Sequence, residues 1–360
     1  MRWYTLSLHH FLQNAMSEWM RVKGAESDVI FSSRVRIARN IAHIPFPILS
    51  TASQSEEVIH LIEQALQQPD IPEILQGAEL IQMADLTELQ KRVLVEKHLI
   101  SPHLAEESTA GAVLFSQDES VSIMVNEEDH IRIQCLFPGF QLGKAWQLAS
   151  QIDDWLEKHM SFAFDEHCGY LTSCPTNVGT GIRASVMIHL PALAMTQQLS
   201  RFIPAITQVG LAVRGIYGEG SEAIGNLYQV SNQVTLGQSE VEIINKLQGV
   251  VYQMIDHEKQ AREHLLSMSR VQLEDRVNRS FGILAHSRII DSKEAMRRLS
   301  DVRLGVDLGL LPGVPSSVMN ELMVLIQPGF LQQYAGEYLG AEERDIRRAE
   351  IIRERFGMEN

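Results

Sequence analysis

The sequence predicts an α+β protein in two parts: an antiparallel sheet flanked by helices over residues 1–257, then a smaller all-helical domain over residues 258–360. Three observations carry this reading. Ala110 to Phe115, Val121 to Asn126 and Ile131 to Leu136 are short β-rich runs separated by polar turns, the pattern of an antiparallel meander. Long amphipathic periodicities lie before and after them. From about Glu258 the chain turns charged and helical, without β-branched runs, and Pro312, Pro315 and Pro328 punctuate it. A chain of 360 residues has room for two such units and an ample core.

Taken in order, His10 to Arg21 has the spacing of a short amphipathic helix with Trp19 and Met20 toward a core. Val29 to Ile37 reads as a strand in which Val35 and Ile37 alternate with Arg34 and Arg36. Alternation puts both guanidiniums on one face, where they meet either solvent or one polyanion. Ser53 to Gln68 is helical by its apolar positions Val58, Ile59, Ile62 and Leu66. The next helix opens at Thr87, with Gln90 at capping-box spacing, and ends near Leu99. His98 therefore stands at a helix end, where a histidine ordinarily caps or packs. Glu127, Glu128 and Asp129 fall on the last turn of the meander, and an acidic run there is ordinarily a solvated loop.

Gln141 to Met160 is a long amphipathic helix whose Trp and Leu stripe is core. Strands follow around Gly169 to Thr172 and Ile182 to Leu190, then a helix from Met195 to about Val209. A strand from Leu211 to Ile216 delivers Arg214 to a Gly-rich loop ending at Gly220, and Leu227 to Leu236 is a further strand. Ser239 and Glu242 form another capping box, opening a helix whose periodicity runs through Ile255. Helices are expected beyond it at Gln260–Leu273, Val277–Ala285, Ser292–Leu299, Ser317–Ile326 and Ala341–Phe356.

Composition narrows the function classes. The net charge of −14 argues against direct nucleic-acid binding, which needs a basic face, and favours encounter with basic, arginine-containing protein segments. No apolar run approaches the ~20 residues that span a bilayer, and Met1 to His10 does not read as a signal peptide. Three cysteines without CxxC spacing argue for a reducing cytoplasm over a disulfide scaffold. Thirteen histidines include no HExxH or Cys/His ligand box, so no protein-held metal is expected.

The densest chemistry lies in Cys174-Pro175-Thr176-Asn177-Val178-Gly179-Thr180-Gly181-Ile182-Arg183-Ala184-Ser185-Val186. A thiol, a small-residue turn and an arginine entering a strand suit a site that handles phosphate. The stretch is neither a Walker loop nor a dinucleotide fingerprint, and alone it also fits a plain turn before a strand.

Four further segments stand with it in a fixed order: Ser32-Ser33-Arg34-Val35-Arg36, His98, Asn126-Glu127-Glu128-Asp129-His130-Ile131-Arg132, and Arg214-Gly215-Ile216-Tyr217-Gly218-Glu219. This set resembles the phosphagen (guanidino) kinases, the family of creatine kinase and arginine kinase, over roughly residues 25 to 255. The family's N-terminal helical domain, which closes over small guanidines, has almost no counterpart here, and the tail differs. In this the chain is most similar to the bacterial protein-arginine kinases.

The resemblance implies a phosphagen-kinase-like fold with a curved antiparallel sheet, and ATP with Mg²⁺ held mainly by the nucleotide. It implies nucleotide contacts from Ser32, Ser33, Arg34, Val35, Arg36, His98 and Arg132, from Arg183, Ala184, Ser185, Val186 and Met187, and from Arg214, Gly215, Ile216, Tyr217, Gly218 and Glu219. It implies catalytic roles for Glu128, Glu219 and Cys174, with Glu127 beside them at the substrate guanidinium. Tyr217 departs from the smaller or charged residue usual in the mobile loop. The chemistry is coherent: a guanidinium with pKa above ~12 is a poor nucleophile, and carboxylates can hold it in plane, polarise it and accept its proton.

The tail sequence Arg344-Asp345-Ile346-Arg347-Arg348-Ala349 is similar to an RDxxRA sequence of the protein-arginine kinases that binds phosphoarginine at an allosteric pocket. Arg344, Arg347 and Arg348 share a helix face by spacing, although Glu342, Glu343 and Glu350 could equally pair with them on a solvated helix. The resemblance further implies protein substrates marked for Clp-type proteolysis, a stress-gene repressor among them, with an activator protein, a Clp unfoldase and a second copy of the chain as partners. A kinase of free arginine or another small guanidine, and a phosphoarginine-binding adaptor, are the competing expectations.

Overall fold

The computed structural model describes residues 12, 16–108, 110–216 and 223–358. Among these, eight strands form one antiparallel sheet in the order β2-β3-β4-β5-β1-β8-β10-β9. The strands are β1 (Ile30–Arg39), β2 (Glu79–Gln82), β3 (Ala112–Phe115), β4 (Val121–Val125), β5 (Ile131–Pro138), β8 (Ile182–His189), β9 (Leu211–Gly215) and β10 (Leu227–Asn232). A separate two-stranded hairpin joins β6 (Phe164–Asp165) to β7 (Gly169–Tyr170). The expected meander is β3, β4 and β5, and β1 inserts between β5 and β8 at the centre.

Period-two alternation gives the sheet two unlike faces. Val35, Ile37, Ile133, Cys135, Ala184, Val186 and Val230 point to a core shared with helices Ala52–Leu66, Leu142–His159 and Glu240–Met268. On the opposite face Val113, Phe115, Met124 and Leu136 join a second core with helix Glu88–Glu96 and the C-terminal helices. The middle of that face belongs to polar side chains, described below. No helix among the described residues is long and apolar enough to cross a membrane.

Both capping boxes form as their spacing predicts, Thr87 with Gln90 and Ser239 with Glu242. Elsewhere the chain departs from its local pattern for physical reasons. The helix opened by Ser239 does not stop before Gln260 but continues to Met268, and the next runs from Arg270 to His286. No Gly or Pro interrupts residues 250–268. A buried Glu258–Arg262 pair, 2.8 Å apart and one turn in separation, supports the segment where a break was expected. That helix passes through residues 257 and 258 without interruption.

The helix expected from Met195 to Val209 is two, Pro191–Met195 and Leu199–Gln208, because Gln197 takes a left-handed φ of 58° between them. Strand β10 stops at Asn232, short of Leu236. Pro328, expected only as a punctuation, occupies the first turn of helix Pro328–Ala335, where its missing N–H costs nothing. The Glu96 carboxylate accepts from Gly329 N and Phe330 N at 2.7 and 2.9 Å, closing that helix's open N-terminus. Edge strand β2 is four residues long and carries too little alternation to be legible in sequence. Of the helix expected over His10 to Arg21, Glu18–Arg21 is helical and Leu12 is buried; residues 1–11 and 13–15 lie outside the described residues.

One buried arginine fixes the approach to the stretch from Cys174 to Val186. Arg39, at the end of β1, donates to Ala38 O and Thr180 O at 2.9 Å each and pairs with Asp153 at 2.6 Å. Its guanidinium carbon lies 3.5 Å from the Tyr170 ring centre. Gly181 (φ 66°) passes so close that a Cβ would stand 2.5 Å from Ala38 O. Arg39→Met leaves Asp153 buried without its counter-charge, and chemical denaturation is expected to show a loss of ~3–5 kcal/mol. A change below ~1 kcal/mol would remove Arg39 from this role.

Candidate active site

Strand register assembles the polar middle of the sheet. Arg34 pairs across with Ser185 and Arg36 with Arg183 on β8; Ala38, on the same face, pairs with Arg132 on β5. Two strands further, Gln229 lies opposite Met187 on one side and Arg214 on the other. Arg34, Arg36, Arg132, Arg183 and Arg214 therefore share one sheet face by period-two alternation.

These charges act on one another. Burial, then Arg132 and Arg183, push the Arg34 guanidinium down to about 10. Arg36 is pushed further below the ordinary range by burial and by Arg34, Arg132 and Arg183, against which Glu127 pulls. Burial and Arg214 lower Arg183, while Cys174 and Glu128 act in the opposite sense. Arg34 donates to Gln229 Oε1 at 2.8 Å and to Ser185 Oγ at 3.3 Å, and Arg36 Nε is buried with no protein acceptor. A row of guanidiniums with donors to spare fits a triphosphate.

The acidic turn is not a solvated loop. Arg132 grips both carboxylates, NH1 to Glu127 at 2.6 Å and NH2 to Glu128 at 2.7 Å. The Glu127 side chain is 2% exposed, and it also accepts from Ser101 Oγ at 2.5 Å and from Glu128 N at 2.9 Å. Glu128 is 37% exposed at its side chain and is the reachable member of the pair.

Asp129, which the pattern groups with that solvated run, is fully buried. Its Oδ1 accepts from Asn40 Nδ2 and from Ser173 N, both at 2.7 Å, so the turn is tied to the segment entering Cys174. Asn40 also accepts from His130 N at 2.9 Å, and His130 Nδ1 accepts from Ile41 N at 3.0 Å. Asp129, Asn40 and His130 are positioning residues with no separate sequence signal, since nothing in residue spacing shows that Asn40 and Asp129 meet.

Cys174 is half-buried, with Sγ 3.0 Å from Thr176 Oγ1. Its carbonyl accepts from Thr172 Oγ1 at 2.8 Å and from Asn177 N at 3.0 Å. Thr235 Oγ1 donates to Val178 O at 2.6 Å, holding the turn from outside. Ser32, Arg34, His98, Ser185 and Met187 line one cleft of about 340 Å³. Gln134 Nε2 donates to His98 O at 2.9 Å, and His98 itself has a left-handed φ of 60°. Ser33 and Val35 are fully buried, Ser33 Oγ donating to Gly139 O at 2.9 Å and Val35 packing in the apolar core, as do Ala184 and Val186.

Gly215 ends β9 and Ile216 follows it; Tyr217, Gly218 and Glu219 lie outside the described residues. In the tail, the Arg348 guanidinium is buried, giving Nε to Ile326 O and NH1 to Ile290 O at 2.9 Å each and pairing with Asp345. Arg347 pairs with Glu350 at 2.7 Å and stands over the Tyr334 ring, and Arg344 donates to Leu339 O at 3.4 Å.

Burial, and after it Arg34, hold the His98 imidazole down from 6.5 to about 4. Its folded value lies below the unfolded one, so its contribution to stability is whole above about pH 6.5 and is lost as pH falls through about 4. Imidazole NMR is expected to show a His98 midpoint near 4 that rises in Arg34→Gln; a midpoint near 6.5 in the unsubstituted protein would contradict the burial.

The fold agrees with the comparisons. Residues 57–261 match the family model "ATP:guanido phosphotransferase, C-terminal catalytic domain", and residues 270–360 match "Protein-arginine kinase McsB C-terminal domain". A protein-arginine kinase of Halalkalibacterium halodurans is 61% identical over 355 residues, 99% of each chain. One of Bacillus subtilis is 57% identical over 354 residues, 98% of this chain and 97% of that one. Among solved structures, lombricine kinase superposes with a TM-score of 0.58 at 24% identity, over 66% of this chain and 68% of that chain. The duplicated taurocyamine kinase of Schistosoma mansoni with bound transition-state-analogue components gives 0.60 at 22% identity, over 74% and 39%. These two likenesses concern the fold alone. By its family models and its near-full-length relatives, the chain belongs to the ATP:guanido phosphotransferase family, within the protein-arginine kinases.

Proposed function

We propose that the chain transfers the γ-phosphoryl group of ATP to arginine side chains of proteins. The observation that carries this is the shared sheet face on which five arginines stand beside the reachable Glu128. Phosphoryl transfer asks a protein mainly for positioning and for charge neutralisation, and the arginine face supplies both to a triphosphate.

In the proposed reaction the O–P bond between the β- and γ-phosphates breaks with ADP leaving, and a new bond joins a guanidinium nitrogen to the phosphorus. That nitrogen's proton goes to Glu128, whose carboxylate Arg132 already holds in place. The half-buried Cys174 thiol and Glu219 are proposed to face the same guanidinium, Glu219 from the loop that lies outside the described residues. For Glu127, whose oxygens are taken by Arg132, Ser101 and Glu128 N, we propose support of Arg132 instead of direct contact with the substrate.

Among the described residues no three His, Cys, Asp or Glu side chains gather as a metal-holding group, and Glu127 and Glu128 are engaged with Arg132. Mg²⁺ is proposed to travel on the nucleotide, where it would neutralise phosphate charge. We further propose residues 1–257 as the catalytic part and 258–360 as the part that reads phosphoarginine through Arg344, Asp345, Arg347 and Arg348. Marking of substrates for Clp-type proteolysis, control of a stress repressor, and pairing of two copies form the context that kinship suggests.

The test is incubation with Mg-ATP and an arginine-rich protein, beside free arginine, with products read by mass spectrometry under non-acidic conditions. Phosphoarginine is expected on the protein. Glu128→Gln is expected to lower turnover by ~10²–10⁴-fold, as for loss of a general base. Phosphate on free arginine alone would contradict the proposed acceptor, and full turnover by Glu128→Gln would contradict the mechanism.

A further inference from the structure

Ile48 and Leu49 are adjacent, large and apolar, and they are 84% and 77% exposed. One exposed leucine is ordinary; a neighbouring pair held out on a single turn is not. They occupy the 3₁₀ turn Pro47–Leu49, on which no residue is buried. Other residues make the inward contacts of this segment. Ile44 packs against the core, and the Phe46 ring meets His130 edge-on with centres 6.3 Å apart. Core packing therefore does not account for the pair.

The turn is the top of a short arch, and both feet of the arch stand on the loop that carries Glu128. At one foot His130, whose Nδ1 accepts from Ile41 N, donates through Nε2 to Pro45 O at 3.0 Å. At the other foot Asn126 Nδ2 donates to Ser55 O at 2.8 Å. Asn126 and His130 flank Glu128 on either side in the same loop. Ser50 Oγ and Ser55 Oγ, 2.9 Å apart, brace the descending side, and Pro45 and Pro47 each fix a φ angle. The apolar pair is thus presented on a stiff support that is one piece with the turn of the reachable carboxylate. The charge around it is negative. Glu56 and Glu57 are exposed on the helix that follows, and no Lys or Arg occurs from residue 40 to residue 90.

We infer that this arch docks the acceptor protein: the segment bearing the target arginine lays a large apolar side chain, close to that arginine in sequence, against Ile48 and Leu49. The inference rests on the proposed kinase reading and narrows its substrate class to arginines with an apolar neighbour on a basic segment. Continuity and charge select this partner. A chain whose guanidinium reaches Glu128 runs beside the arch, because the arch is bonded to the Glu128 turn at both feet. The acidic surroundings complement a cationic, arginine-bearing segment and oppose a second copy of this chain, whose net charge is −14. Free arginine carries no apolar neighbour, so the contact acts on polypeptide acceptors alone. A rigid support costs little ordering on binding, which suits a docking contact.

The experiment uses the full chain, Mg-ATP and peptides of equal net charge with a single arginine. Leucine is placed at successive positions on either side of the arginine, against a parent with serine at all of them. The best leucine peptide is expected to exceed the serine parent about tenfold in kcat/KM, through KM, as for partial burial of one leucine side chain. The double variant Ile48→Ser, Leu49→Ser is expected to bring that ratio within about twofold while turnover of the serine parent is retained. No leucine preference at any position, or a preference that survives in the double variant, would overturn the inference and leave arginine phosphorylation standing. An equal loss on every peptide would make the pair a support of the acidic turn and overturn the docking role. A lower oligomeric mass of the double variant in sedimentation, with the preference intact, would assign the arch to a second copy and likewise overturn it. Absence of phosphoarginine from every peptide and from an arginine-rich protein would overturn the kinase reading and the inference with it.

Discussion

Mutual repulsion among guanidiniums on one sheet face is the constraint around which the rest of this structure is arranged. Two like charges ~6 Å apart repel by ~3 kcal/mol at an effective dielectric of ~20, more than an ordinary hydrogen bond returns. Arg34, Arg36 and Arg183 all feel this, each pushed down by burial and by its arginine neighbours. Only part of the charge is met from within: Arg132 by Glu127 and Glu128, Arg34 by Gln229 and Ser185. What remains is a standing demand for a polyanion, and the fold bears its cost so that binding can relieve it.

The surrounding structure holds that face rigid at its edges. Asp129 and Asn40 lock the acidic turn to the segment before Cys174, and Arg39 with Asp153 locks the end of β1 to the turn before Arg183. On the far side, Arg303 seats helix Ser316–Leu325 against the start of β1. The buried Arg348 then holds the carbonyl of Ile326, immediately beyond that helix. A continuous set of packed groups thus runs from the tail arginines to the cleft beside the arginine face.

Much of this was legible in the sequence wherever a local rule governs. The meander followed from alternation, the capping boxes from spacing, and the shared face of Arg34 and Arg36 from strand period. The order of the charged segments points to the family by itself. What residue pattern could not show was contact at long range. Asp129 looks like a third solvated acid until Asn40, 89 residues away, is seen to bond it. The uninterrupted helix through Glu258 depends on a buried pair whose burial is set by tertiary packing, and Arg303 to Ser27 spans 276 positions. Tyr217 to Glu219 lie outside the described residues, so that part of the expected site rests on resemblance alone.

The most direct measurement of the central claim is the melting temperature of the Arg36→Gln variant against the unsubstituted protein, alone and with phosphate, pyrophosphate and tripolyphosphate. If the arginine face is held together against its own charge, removing one buried guanidinium raises the melting temperature of the free protein. The stabilisation of the unsubstituted protein then grows with ligand charge, following the affinity for the folded state, and shrinks in the variant. A variant that melts lower than the parent, yet gains the same stabilisation from tripolyphosphate, would contradict the account.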